Sequence, residues 1–278
     1  MKVVLFCGGL GLRLRDYSEH IPKPMVRIGY RPIIWHVMKY FAHYGHNDFI
    51  LCLGYRGDLI KEYFLNYNEC LSNDFVLTRG GAEIKLINSD IGDWKITFAD
   101  TGLRANIGQR LASVQKYLEG EELFLANYTD GLTDLNFSTY IEYARYADTI
   151  ATFLSVKPNL SYHIAQTGSN GLVESIKSVM ETNLRINGGL FVLKRDIFKY
   201  MRSGEELVIE PFQRLITVKQ LTAYEYNGFF AAMDTFKDKQ NLDDLYESGN
   251  PPWEVWKEAG VKPIQVSSPL SATEHSQP

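Results

Sequence analysis

The sequence predicts an α/β protein: a mixed, mostly parallel sheet flanked by helices, with small antiparallel excursions. Three observations carry that expectation. Val3–Phe6 is a short apolar run with β-branched residues at its start, followed at once by Gly8, Gly9 and Gly11, which suits a strand buried on both faces that ends in a glycine turn. Strand-like and helix-like stretches then alternate, which implies parallel strands joined by right-handed crossovers. After Lys157 the pattern changes to short strands separated by Gly-rich turns.

Taken in order, Pro32 to Tyr44 carries Ile34, Val37, Met38 and Phe41 at helical spacing, and Gly45 supplies a stop. Asp48–Leu53 reads as a second strand and Leu59–Phe64 as part of a second helix. Glu83–Ile87 and Lys95–Ala99 read as two strands around a turn at Gly92, an antiparallel excursion. Ile107–Leu118 reads as a helix, and Leu123–Asn127 as a buried strand leading to Tyr128-Thr129-Asp130-Gly131. Phe137–Ala147 is helical and Thr149–Val156 a strand. Beyond Lys157, His163–Gln166, Leu172–Ile176, Gly189–Leu193, Thr222–Tyr226 and Phe229–Met233 read as strands. Ile197–Met201, Pro211–Val218 and Lys237–Tyr246 read as helices. Residues 1–260 are expected to form one domain, and 261–278, rich in Ser and Pro from Ser267, a disordered tail.

With 29 Lys and Arg against 33 Asp and Glu, the net charge of −4 argues against broad nucleic-acid binding, which needs a basic footprint. No apolar run is long enough to span a membrane, and the chain enters a strand directly, with no signal peptide expected. Cys7, Cys52 and Cys70 show no Cys-x-x-Cys spacing and suit a reducing cytoplasm. His36, His43 and His46 lie on or just after one helix and could suggest a metal, but no carboxylate or cysteine accompanies them, so packing or surface roles are expected.

The chemistry is expected beyond the carboxyl ends of the strands, where open α/β sheets bind ligands. A glycine turn there can aim several N–H groups at one anion. Arg13 adds a phosphate-matching fork and Lys23, between Pro22 and Pro24, a point charge. The pattern reads as a polyphosphate cradle, against the plainer reading of a tight turn with two surface cations. Asp130 and Asp234 each follow an apolar strand-like run. Two carboxylates facing a phosphate cradle need a cation between them, so a Mg²⁺ ion on Asp130, Asp234 and a phosphate is inferred. Either Asp alone would more simply serve a turn or a cap.

With those residues in view, MKVVLFCGGLGLRL and IPKPMVRIG resemble the N-terminal signature of sugar-1-phosphate nucleotidyltransferases, with closest similarity to the glucose-1-phosphate cytidylyltransferase branch. PIIWHVMKY, DFILCLGYRGDLIKEYF, ADTG, YTDG, INGGLFVL, MDTFKDK and PPWEVWK follow in that branch's order, over residues 1 to 257. The resemblance implies a Rossmann-like sheet of the nucleotide-diphospho-sugar transferase type. It implies transfer of a nucleoside monophosphate, with CTP as the expected donor, to a phosphorylated acceptor. It also implies Mg²⁺ and a homo-oligomer, in which Trp253 and Trp256 pack on the body or on a neighbouring subunit.

On the nucleotide side the resemblance points to Phe6 and Cys7 leading into Gly8, Gly9, Leu10, Gly11, Leu12 and Arg13, and to Lys23. Gly108 and Arg110 complete that side, Arg110 matching an arginine that faces the nucleotide in the family. Lys23, Arg13 and Asp130 are the expected catalytic residues, and Asp130 and Asp234 the metal ligands. On the acceptor side Asn187, Gly188 and Gly189 match the family's binding segment.

The departures cluster on the ligands. Leu12 replaces the usual threonine of the glycine signature, Thr129 a glycine, and Ile21 a frequent lysine. The family's Glu-Lys-Pro is absent: Ser175-Ile176-Lys177-Ser178-Val179-Met180 stands there, with Lys177 or Arg185 as possible substitutes. Ser161-Tyr162 replaces Phe-Gly, and Tyr162 is expected to fill space that a hexose would use. The expectation is a working enzyme with an acceptor other than glucose 1-phosphate, either another sugar phosphate or a small phosphate or phosphonate. The alternative is a non-catalytic nucleotide-binding protein on the same fold. A dinucleotide-binding oxidoreductase is disfavoured, because Gly8-Gly9-x-Gly11 is not Gly-x-Gly-x-x-Gly.

Overall fold

Val3–Phe6 forms a strand buried along its whole length. Its alternate residues serve two cores: Val3 and Leu5 join one hydrophobic cluster, Val4 and Phe6 the other. That two-sided burial is why the run is uniformly apolar rather than alternating. The computed structural model describes residues 1–9, 21–158 and 162–257, so the expected C-terminal tail lies outside the described residues.

Seven strands make the central sheet, in spatial order Leu221–Tyr226, Ala151–Val156, Ile186–Lys194, Leu123–Tyr128, Val3–Phe6, Asp48–Leu53 and Lys95–Asp100. All run parallel except Ile186–Lys194, which is antiparallel to both its neighbours. That reversal has a functional consequence: the strand's first residues, not its last, lie at the carboxyl edge of the sheet. Helices Ile33–His43, Phe137–Ala147 and Phe236–Glu247 contribute to the core on one face of the sheet, while Ile107–Val114 and Glu210–Thr217 cover the other. Gly45 takes a positive φ of 80° just beyond the first of these helices and donates its N–H to the Ala42 carbonyl, ending it as the sequence suggests.

Two readings need correction. Glu83–Leu86 pairs not with the strand after Gly92 but with Phe75–Thr78, as an antiparallel hairpin. Lys95–Asp100 instead joins the central sheet, parallel to Asp48–Leu53. The reason is burial. Phe75–Thr78 is exposed at all four positions, so no periodic burial marks it, whereas Trp94 packs on Phe49 at 5.3 Å between ring centroids and anchors the next strand to the sheet edge. The other correction is local: the expected helices Ile107–Leu118 and Ile197–Met201 tighten, the first to 3₁₀ turns at Gln115–Leu118 and the second to 3₁₀ geometry throughout Arg195–Tyr200.

At the C-terminal side Trp253 inserts into the core against His36 and Phe229. The indole N–H donates to His36 Nδ1 at 3.3 Å, so the imidazole proton sits on Nε2 and goes to the Ile28 carbonyl at 3.1 Å. Burial lowers the His36 pKa to about 4, keeping the ring neutral and the donor–acceptor chain intact. His36 is thus a structural residue, and no group of three or more His, Cys, Asp or Glu side chains suited to a metal occurs among the described residues.

Candidate active site

The site forms where a small ladder draws two distant aspartates together. Asp130 precedes the strand Gly131–Thr133, which pairs antiparallel with Phe230–Ala232, register Gly131 to Ala232. Met233 N–H then donates to the Asp130 carbonyl at 2.8 Å, and Asp234 follows. Neither carboxylate does the plain work a lone aspartate would suggest. Thr235, not Asp234, caps the helix Phe236–Glu247, in a capping box with Asp238. Asp238 also accepts the Asp234 N–H at 3.2 Å, which fixes the backbone of Asp234 and leaves its carboxylate to point across the site.

What lies between the carboxylates is Lys23. Its Nζ donates to Asp130 Oδ2 at 2.6 Å and to Asp234 Oδ1 at 2.8 Å. Burial works against the ammonium charge, but the Asp130 and Asp234 carboxylates outweigh it, and the Lys23 pKa is raised. Local chemistry holds the lysine there. Pro22 is extended, Lys23–Met25 is a single 3₁₀ turn with Pro24 in its first positions, and Met25 N–H closes on the Pro22 carbonyl at 2.8 Å. Two fixed φ angles flank one long flexible side chain.

The start of the glycine segment lies at the neighbouring strand end. Thr129 Oγ donates to the Phe6 carbonyl at 3.0 Å and ties the end of Val3–Phe6 to the end of Leu123–Tyr128. Phe6 and Cys7 are buried, while Gly9 is exposed with open space where a side chain would stand. Gly8 differs: a Cβ there would lie 2.3 Å from Arg110 Cζ. Arg110 is 1% exposed, its guanidinium packed against Gly8 rather than out in solvent. Gly108 meets main chain, a Cβ there falling 2.3 Å from the Glu205 carbonyl oxygen. Leu10, Gly11, Leu12 and Arg13 lie outside the described residues.

On the acceptor side, the antiparallel strand brings Asn187, Gly188 and Gly189 to the carboxyl edge. The Gly188 carbonyl comes within 4.0 Å of where a Cβ of Gly131 would stand, next to Asp130. Gly189, at φ 74°, packs so close to the Tyr128 ring that a Cβ would meet it at 2.2 Å, and its N–H donates to Asn187 Oδ1 at 2.9 Å. Arg185 donates to the carbonyls of Ser155 and Tyr226 at 3.0 and 3.2 Å and to Asn227 Oδ1 at 2.6 Å, bracing the ends of two sheet strands. Lys177 is exposed on the hairpin of His163–Thr167 and Val173–Ser178. Tyr162 is 68% exposed.

Sequence reading missed two residues at this edge, Gly54 and Thr101, both in contact with Arg110. Each stands just beyond a strand end, as Gly8 does, and that position was the available signal.

Comparison with known proteins gives the family. Residues 2–249 match the nucleotidyl transferase family. The chain is 35% identical over 258 residues to a probable glucose-1-phosphate cytidylyltransferase of Bacillus subtilis, covering 92% of this chain and 100% of that one. It is 34% identical, with the same coverage, to the glucose-1-phosphate cytidylyltransferase of Salmonella typhimurium. Among solved structures, HddC from Yersinia pseudotuberculosis shares the fold with a TM-score of 0.63 at 21% identity, over 88% of this chain and 99% of that one. No helix among the described residues is long and apolar enough to cross a membrane. A lysine and two aspartates converge at the carboxyl edge of a mostly parallel sheet, in a chain that matches over residues 2–249: it belongs to the nucleotidyl transferase family.

Proposed function

We propose that this nucleotidyltransferase transfers CMP from CTP to a phosphorylated small molecule and releases pyrophosphate. The observation that carries the reading is the convergence of Lys23, Asp130 and Asp234 beside the Gly8–Gly9 turn. A phosphate monoester is mostly dianionic at neutral pH, its second pKa being about 6, so the nucleophile needs no general base. One of its oxygens attacks the α-phosphorus of CTP, the new P–O bond forms as the α–β bridging P–O bond breaks, and the electron pair leaves on pyrophosphate. The protein's task is alignment and charge cancellation. The amides of the glycine turn, with Arg13, hold the β- and γ-phosphates. Lys23 faces the α-phosphate and neutralises the charge that grows in the transition state.

Asp130 and Asp234 are the residues that would hold Mg²⁺. The donor set fits: two carboxylates converge on one cation, and Mg²⁺ takes one or two carboxylates with substrate phosphates and water completing its shell. Bound there, the ion would supply further charge neutralisation between the two phosphorylated reactants. In the ligand-free protein the Lys23 ammonium serves as the cation between the carboxylates.

The acceptor is proposed to differ from glucose 1-phosphate. Supporting this, the Glu-Lys-Pro lysine is missing, Arg185 is engaged elsewhere, and Lys177 stands exposed on a hairpin. Residues 1–260 act as the catalytic unit, in the cytoplasm, where Cys7, Cys52 and Cys70 stay free thiols. A homo-oligomer is supported by the Phe75–Leu86 hairpin, where Leu77 and Ile84 stand exposed. The test is pyrophosphate release from each nucleoside triphosphate with a panel of sugar and non-sugar phosphates. CTP with an acceptor other than glucose 1-phosphate should give the fastest turnover. Full activity with glucose 1-phosphate would defeat the changed acceptor, and tight CTP binding without turnover on any acceptor would favour a non-catalytic binder.

A further inference from the structure

Among the described residues Arg110 is a buried cation with no carboxylate in ion-pair contact. Among the described residues its guanidinium forms no ion pair, and its Nε is buried with no hydrogen-bond partner. Burial lowers its pKa below the ordinary arginine value. Leaving a desolvated charge without a counter-ion is costly, so something must hold it in place and something must make use of it.

What holds it is a specific seat. Nη1 donates to the Leu53 carbonyl at 3.0 Å and to Thr101 Oγ1 at 2.7 Å. Thr101 Oγ1 donates in turn to the same carbonyl at 2.8 Å, and Thr101 N–H donates to it at 3.0 Å. One carbonyl at the end of Asp48–Leu53 thus takes three donors, a polarised anchor for the cation. The space is made by two glycines. A Cβ on Gly54 would lie 2.7 Å from Nη1, 2.8 Å from Nη2 and 3.0 Å from Gly8 Cα, and a Cβ on Gly8 would strike the guanidinium itself. Thr101, Gly54 and Gly8 enclose Arg110, and the next residue of the glycine segment, Gly9, is exposed to solvent.

We propose that Thr101 and Gly54 are positioning residues for triphosphate binding: they fix Arg110 as a pre-set positive charge behind the Gly8–Gly9 turn. The inference rests on the nucleotide-binding reading of that turn. A bound anion supplies the counter-charge that Arg110 lacks among the described residues, and the seat keeps the guanidinium from turning to solvent when the site is empty. Thr101 touches neither reactant and acts through Arg110 alone.

The experiment is calorimetry of the full chain with CTP, GTP, ATP and UTP, each with Mg²⁺, on the wild type and on Thr101→Val, Thr101→Ser and Gly54→Ala. Thermal melts confirm that each variant is folded. For the triphosphate the wild type binds most tightly, Thr101→Val should raise Kd about tenfold, the worth of one lost charge-assisted hydrogen bond. Thr101→Ser keeps the hydroxyl and should restore most of that loss, which a merely packing role for Thr101 would not give. Gly54→Ala should weaken binding further, because it displaces the guanidinium itself. In turnover assays the loss should fall on KM more than on kcat. Folded Thr101→Val binding as tightly as wild type would overturn the inference, as would Thr101→Ser no better than Thr101→Val. Should Gly54→Ala not fold, the valine and serine pair decides. A wild type that binds none of the four triphosphates would instead sink the nucleotide-binding reading and this inference with it.

Discussion

The two halves of the carboxyl edge are built differently. On the proposed nucleotide side most named groups follow strands of the central sheet, with Lys23 on a 3₁₀ turn and Asp234 just after the small two-stranded ladder. Gly8, Gly54 and Thr101 follow three neighbouring parallel strands, Thr129 ties two strand ends together, and Lys23 reaches Asp130 and Asp234 across the opening. On the acceptor side the missing lysine's region is a two-stranded hairpin held by its own ladder and exposed along most of its length. A lone hairpin is marginal in water and little constrained by the core. Under the proposed function, the groups for the reacting phosphates rest on strand ends of the sheet, whereas the departures around Lys177 lie on an exposed hairpin where sequence can drift without unfolding the protein.

That contrast breaks most visibly at Lys23. Lys23→Ala should lower kcat by about 10²–10³-fold, as expected for loss of a charge that stabilises the transition state. It also leaves the Asp130 and Asp234 carboxylates facing each other, so the melting temperature should drop, and added Mg²⁺ should recover part of the melt but not the turnover. An unchanged rate would remove Lys23 from the mechanism. Asp234→Asn should come next: the Mg²⁺ concentration needed for half-maximal rate should rise, with the capping box of Thr235 and Asp238 intact and stability little altered. An unmoved Mg²⁺ dependence would separate Asp234 from the metal.

His36 sharpens the comparison from behind, since its Nε2 supports Ile28 on the segment that follows Lys23. Its folded pKa, about 4, lies below the ordinary 6.5, so the folded state resists protonation that the unfolded chain accepts. Stability from this source is complete above pH 6.5 and is lost as pH falls toward 4, by about 3 kcal/mol in all. His46, also lowered to about 4 but less buried, adds in the same direction. Denaturant midpoints between those pH values should therefore fall, and His36→Gln should flatten the slope; an equal slope in the variant would assign it elsewhere. A smaller effect is expected at Thr235→Ala, which removes a helix cap and should cost about 1 kcal/mol of stability. Smallest of all should be Lys177→Ala, whose exposed side chain makes no ion pair among the described residues; a large rise in acceptor KM would show that the hairpin closes over the substrate.

How far the sequence could be read follows the same division. Val3–Phe6, Asp48–Leu53 and Phe137–Ala147 have the bounds their apolar patterns suggest, because each is a dense run with a clear stop. The two aspartates were placed at strand ends for the same reason. What pattern cannot reach is partnership across the chain. Lys23 meets residues 107 and 211 positions away, and Arg110 finds its seat on Leu53 and Thr101 from a helix that shows only a solvated-looking cation. Phe75–Thr78 stayed hidden because none of its residues is buried, so hydrophobic period carried no signal there.

The most direct test is the structure of the protein with CTP and Mg²⁺ bound. The triphosphate should run from the Gly8–Gly9 turn to Asp130 and Asp234, with both carboxylates on the metal and Lys23 moved from between them onto the α-phosphate. A nucleotide bound away from that turn, or one bound with Lys23 still clasped by both aspartates, would contradict the central claim.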